Sequence, residues 1–253
     1  MSCGTGMSPS FGSMSEHPMT RLPGGRIQIV DALRGLSILL MVAYHAGVDL
    51  FLFGLIPETL IYSPLLTVLQ PLFAGVFIFL SGLSSQFSKS NYRRGVLTLL
   101  CAFLVSVVTG LMDVPVTFGI LHFLGSAMLL YGLLRDVCER WPLWPSFAVC
   151  GLLFAVCFCV FPLEVNKEIP YLYVLGIKTE PFQSADYFPL LRWLPLFGAG
   201  TFWGRFVIQG GMPTWFYTVR IPFLPAVGRR TLLIYLLHQP VVYGIVWLIR
   251  QSL

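Results

Sequence analysis

The run Arg34-Gly35-Leu36-Ser37-Ile38-Leu39-Leu40-Met41-Val42-Ala43-Tyr44-His45 sets an arginine and a histidine at the two ends of an otherwise apolar stretch. Its length and apolarity predict a helix that crosses a bilayer. An ionisable side chain is costly at membrane depth, so His45 is read as a functional residue rather than a packing one. Eleven positions bring Arg34 and His45 to nearly the same helix face, roughly 16 Å apart along the axis. Steps of three and four extend that face through Asp31, Arg34, Ile38, Met41, His45 and Asp49, an apolar stripe with polar groups at both ends.

The rest of the chain fits the same solvent. Hydrophobic residues make up 56% and charged residues 11%, with a mean hydropathy of +0.79, whereas soluble domains carry about 25% charged residues. Apolar runs near 29–53, 67–87, 95–112, 118–135, 145–163, 188–207 and 231–249 predict an all-α polytopic transmembrane bundle of about seven spans. Twelve of the sixteen Lys and Arg residues fall on one side of these runs. That imbalance predicts a cytoplasmic N-terminus and an external C-terminus. The net charge of +5 and pI near 9.0 are accordingly topogenic, with the lipid bilayer as partner and no nucleic acid.

Residues 1–25, rich in Ser, Gly and Met, read as a disordered cytoplasmic tail, and 26–253 as one membrane domain. The segment 163–187 is expected to fold over the outer mouth. Five of the six cysteines fall in predicted spans or a loop and one in the tail, where they read as packing residues. No metal site is expected, since Cys157-x-Cys159 alone is weak spacing for one. Ser81-Gly82 and Gly200-Thr201-Phe202-Trp203-Gly204 read as small-residue surfaces for close helix contact.

Several residues have two readings. Asp31 suits the first turn of a helix and Arg34 suits lipid phosphate, or the pair marks an inner mouth. Asp49, one turn beyond His45, is placed to hold the imidazole in a useful tautomer. His122 falls at a similar depth on the fourth span, so the two histidines are expected to face one cavity. Asp186 caps the sixth span or binds an acceptor. Arg229 and Arg230 are topogenic or bind phosphate. His238 falls about two turns into the inner half, where Pro240 frees a carbonyl for Gln239 or His238.

The ordered set Asp31-Ala32-Leu33-Arg34-Gly35-Leu36 with His45, Phe79-Leu80-Ser81-Gly82, Phe118-Gly119-Ile120-Leu121-His122, Asp186-Tyr187-Phe188-Pro189 and Ile234-Tyr235-Leu236-Leu237-His238-Gln239-Pro240 resembles the bacterial branch of the heparan-alpha-glucosaminide N-acetyltransferase catalytic-domain family. The Arg34 to His45 segment is also similar to the first helix of membrane acyltransferases that acylate cell-surface sugars. The resemblance implies a multi-pass enzyme of the bacterial cytoplasmic (inner) membrane that takes acetyl-CoA or another acyl-CoA from the cytoplasm. The acyl group would pass to a sugar-like amine or hydroxyl acceptor outside. On that reading His45, Asp49 and His122 are catalytic, Arg34, Arg229, Arg230 and His238 hold the donor, and Asp186, Tyr187 and Arg192 meet the acceptor. Arg192 replaces a proline common in similar bacterial sequences, a cation that would favour an anionic acceptor. The resemblance leaves homo-oligomerisation open and does not carry over heparan sulfate itself. A proton-coupled small-molecule transporter or flippase, with His45, Asp49 and His122 as a relay, is the alternative.

Overall fold

The computed structural model describes residues 27–165, 171–179 and 182–252, so the expected tail over 1–25 lies outside the described residues. Among the described residues, seven long helices cover the predicted spans: α1 (Gln28–Leu52), α3 (Pro64–Gln86), α4 (Asn91–Leu111), α5 (Ile120–Arg140), α6 (Leu143–Val160), α7 (Leu190–Ile208) and α10 (Thr231–Ser252). Short helical and extended pieces join them. α2 (Glu58–Ile61) follows α1, and α8 (Thr214–Thr218) and α9 (Leu224–Gly228) lead from α7 into α10. Between α6 and α7, β1 (Leu163–Val165) pairs in parallel with β2 (Ile177–Thr179), Leu163 opposite Ile177.

Several helices begin earlier or run longer than the apolar pattern predicts, because capping decides the ends. Ser63 accepts from the Leu66 amide at 3.4 Å with Pro64 in the first position of α3, and Ser90 accepts from the Arg93 amide at 3.2 Å. Arg93 and Arg94 therefore sit in the first turn of α4 instead of a loop. α5 continues past Arg135, which pairs with Glu139 at 2.7 Å one turn on.

Six of the long helices are apolar and long enough to cross a membrane; α7 is the exception. It carries Arg192, Pro195 and Arg205, yet Trp193, Phe197, Thr201, Phe202 and Val207 are buried. α7 lies between α3 and α6. A helix shielded by its neighbours needs less apolar surface than one facing lipid. Its contact with α3 is made by small residues, as the sequence predicts. A Cβ on Gly82 would enter the carbonyl of Phe197, and one on Gly200 the carbonyl of Phe79.

The same device seats α9 against α1. A Cβ on Gly35 would run into the carbonyl of Leu224, and one on Gly228 into the carbonyl of Asp31. This backbone contact fixes where α10 starts: Thr231 accepts from the Arg34 guanidinium at 3.2 Å, so α10 begins inside the bundle beside α1. Lys89, Arg94, Arg135, Arg140, Arg205 and Arg229 gather at the end where α1 begins, here called the basic end. There Arg205 donates to the carbonyls of Cys138, Glu139 and Trp141 at 3.2, 3.0 and 2.8 Å, closing the C-terminus of α5.

Candidate functional site

α1 presents its polar stripe to the interior, while Leu33, Leu36 and Leu39 face outward. At the basic end the stripe opens on a cavity of about 1210 Å³. Asp31 and Arg34 line it with Lys89, Arg94, Arg229 and the hydroxyls of Ser81, Ser84, Ser88 and Thr231. Arg34 lies 5.9 Å from the Phe77 ring, and Arg94 donates to the Ser84 carbonyl at 3.4 Å. Four cations among hydroxyls form a surface suited to phosphate groups. Arg230 is exposed and does not line this cavity.

Further along α1, Ser37, Ile38, Met41, Tyr44 and His45 line a smaller chamber of about 150 Å³, closed by Gln70, Phe73 and Ala74 of α3 and by Ile120, Ala185, Asp186 and Phe188. Phe77 and Tyr235 belong to the walls of both cavities. The two spaces are thus neighbours divided by two aromatic side chains. His45 Nδ1 lies 3.1 Å from the Met41 carbonyl. A carbonyl only accepts, so Nδ1 carries the hydrogen and Nε2 keeps its lone pair.

Asp49 does not touch the imidazole, contrary to the sequence expectation. Its carboxylate accepts from Gln239 Nε2 at 3.1 and 3.2 Å, which ties α1 to α10. The neighbour of His45 is His238, with ring centroids 5.0 Å apart. His238 falls two turns into α10, as the sequence expects, and there it meets His45 of α1. His238 Nδ1 donates to the Tyr235 carbonyl at 2.6 Å and Gln239 is taken by Asp49, so neither serves the carbonyl of Leu236 opposite Pro240.

His122 and His45 do not share a cavity. The Gly119 amide donates to His122 Nδ1 at 3.2 Å, leaving Nε2–H to donate to Ser106 Oγ at 3.3 Å, and Ser106 in turn donates to the Val116 carbonyl at 2.5 Å. His122 closes the first turn of α5 and lies outside the chamber wall.

Asp186 is a cap, though of a different helix from the one predicted. It accepts from the Ile120 amide at 2.9 Å, the first residue of α5, while α7 starts after Pro189. Tyr235 donates to the same oxygen at 3.2 Å. A Cβ on Gly119 would strike this carboxylate, so only glycine lets it approach. Enclosure raises the Asp186 carboxyl above the usual carboxylate range, and the two donors and His238 pull it partly back. Asp186 therefore does both jobs the sequence left open: it caps a helix and faces the chamber.

Tyr187 and Arg192 stand elsewhere. Tyr187 donates to the Tyr173 carbonyl at 2.7 Å, lies under Lys178, and has its hydroxyl pushed up to about 12 by burial. It lines an outer cavity of about 420 Å³ with Asp113, Lys178 and Phe182, whose wall shares Ala185 with the His45 chamber. Arg192 stacks at 4.1 Å on Phe158 and 5.8 Å from Trp193, held between α6 and α7. It is an anchor there, and places no cation in the chamber. Among the described residues no group of three or more His, Cys, Asp or Glu is placed to hold a metal ion.

A sequence model described as heparan-alpha-glucosaminide N-acetyltransferase, catalytic, matches residues 26–240, from the start of α1 to Pro240. The chain belongs to this family. No curated protein and no solved structure shows a significant match. As a member of the heparan-alpha-glucosaminide N-acetyltransferase catalytic-domain family with six apolar helices, the protein is a multi-pass membrane acetyltransferase. The family's matched region contains every residue of both interior cavities. Lys89 and Arg94, read from sequence as topogenic charge, stand in the cavity wall, as do Phe77 and Tyr235. Their signal was one of position only: Tyr235 lies within the run 234–240, Phe77 just before Phe79, and Lys89 and Arg94 after Gly82, on faces that periodicity alone did not assign.

Proposed function

We propose that the protein transfers an acetyl group from cytoplasmic acetyl-CoA to an amine or hydroxyl of a sugar-like acceptor on the far side of the bacterial inner membrane. The observation that carries this reading is the sharing of Phe77 and Tyr235 between a basic cavity and the His45 chamber. A nucleotide-sized donor needs phosphate contacts at one end and a narrow, apolar approach to the reacting carbon at the other, which is the order found along α1. The larger cavity exceeds the usual 300–1,000 Å³ of small-molecule sites, as an extended donor requires.

In this scheme the basic end faces the cytoplasm, consistent with the distribution of Lys and Arg. Arg34, Lys89, Arg94 and Arg229 hold the CoA phosphates, and the pantetheine arm passes Phe77 and Tyr235 along Ile38 and Met41. His45 Nε2 takes the proton of the acceptor as the new N–C or O–C bond forms. The thioester C–S bond breaks, sulfur leaves with the electron pair and recovers a proton as free CoA. A direct transfer accounts for the unprotonated Nε2 that the Met41 contact fixes. Asp186, entering from the outer loop, orients the acceptor beside Ala185, while Asp49 and His122 hold α10 and the start of α5.

The test uses the full chain in sealed vesicles supplied with acetyl-CoA and a panel of amino sugars. The scheme requires release of free CoA and its loss, by about 100-fold or more, in His45→Ala. Solute movement without CoA release would instead establish the transporter.

A further inference from the structure

His45 lines the chamber, the imidazole of His238 packs against it from α10 behind that wall, and both rings are held the same way. His45 Nδ1 donates to the Met41 carbonyl and His238 Nδ1 to the Tyr235 carbonyl, so each ring is left with a basic Nε2. The rings are 5.0 Å apart and tilted by 52°. His238 is only 9% exposed, and its Nε2 is buried with no hydrogen-bond partner among the described residues. A buried polar atom left unpaired is costly, and a leucine would fill the same helix position without that cost. The nitrogen has a use only when a proton arrives beside it.

We propose that His238 is a positioning residue that shares the proton His45 takes from the acceptor. The inference rests on the reading of His45 as the base. As the acceptor N–H or O–H bond breaks, its proton moves to His45 Nε2 and the new bond to the acetyl carbon forms. The imidazolium is then held by His238 Nε2, a partner of low hydration in an enclosed site. When the C–S bond breaks, sulfur leaves with the electron pair and the shared proton passes to it, giving the free thiol. Both rings return to their starting tautomers.

The charged and titratable groups around His238 are few. α1 supplies His45 and, through Gln239, Asp49; its own helix supplies Tyr235; the loop before α7 supplies Asp186 behind the Tyr235 hydroxyl. α9 has no titratable side chain, and those of α4, which also touches α10, are Tyr92, Arg93, Arg94 and Cys101.

The experiment compares wild type, His238→Gln and His45→Ala as full chains in lipid nanodiscs, measuring kcat and KM for acetyl-CoA across pH. His238→Gln should lower kcat roughly 10-fold or more while leaving KM within about twofold. Without a partner for its proton His45 becomes less basic, so the acid limb of the kcat profile should move to lower pH; a merely structural role would leave that limb in place. An unchanged profile with near-normal kcat, or a loss confined to KM, overturns the proposal. Should His238→Gln fail to fold, ¹⁵N spectra of histidine-labelled wild type decide. Titration of His45 and His238 over one shared pH interval supports the shared proton, and two independent titrations overturn it. An active His45→Ala would instead bring down the reading of His45 as base, and a dead His45→Ala beside a normal His238→Gln removes only the role of His238.

Discussion

Tyr235 donates its hydroxyl hydrogen to Asp186 at 3.2 Å, and the same phenol stands in the wall between the basic cavity and the His45 chamber. One side chain of α10 thus couples the divide between two cavities to the loop that closes the far one. Tyr235→Phe keeps the aromatic wall and removes the donor. It should cost about 1 to 2 kcal/mol of stability, read as a lower thermal midpoint, and should weaken acceptor use more than donor use in steady-state kinetics.

Asp186 gives the bundle a pH dependence of definite sign. Its carboxyl titrates higher in the folded protein than in the unfolded chain. Between those two values the folded state holds the extra proton, so this group's contribution to stability is complete below the unfolded value. It falls as pH rises through the folded one. The melting temperature of wild type should therefore decline, relative to Asp186→Asn, as pH climbs through the carboxylate range and just above it. Parallel curves for the two proteins would contradict the assignment.

The cations of the larger cavity divide cleanly. Arg34→Ala and Arg229→Ala remove charges from its wall and should raise KM for acetyl-CoA about 10-fold each, with an effect that shrinks at high salt. Arg230→Ala, one residue away but outside the wall, should behave as wild type. Equal effects at 229 and 230 would mean that charge near the surface, not cavity lining, governs donor use.

Gly228→Ala places a methyl against the carbonyl of Asp31, where only backbone stands. Forced separation of α9 from α1 should cost about 1 to 3 kcal/mol and displace α10, lowering both the thermal midpoint and acetyl transfer. Gly244→Ala, on α10, meets nothing within 4 Å and serves as the control.

Composition and periodicity were sufficient for the bundle, because a bilayer imposes length and apolarity on each exposed span. They also made legible the inward stripe of α1, since a helix face is a local property. α7 escapes the same rule because neighbours, not lipid, surround it, and hydropathy measures lipid contact. The site was readable only in part. His45 could be singled out by its cost in an apolar helix, but the partners of Asp49, Asp186 and His238 depend on where α10 packs against α1, and those of His122 on how α4 and α5 meet. The place of α10 is set by the contact of Gly35 with Gly228, nearly two hundred residues apart in the chain, which no local pattern records. Arg192 misled for a related reason: a cation beside aromatic residues can stack on them, and Phe158 lies on a different helix.

The most direct test of the central claim is a structure of the protein in lipid with CoA bound. The account predicts density for the phosphates among Arg34, Lys89, Arg94 and Arg229, and the thiol end beyond Phe77 and Tyr235 within reach of His45. Density for CoA that lies outside the α1 cavity, or that ends on the basic side of Tyr235 with no way past it, would contradict the account.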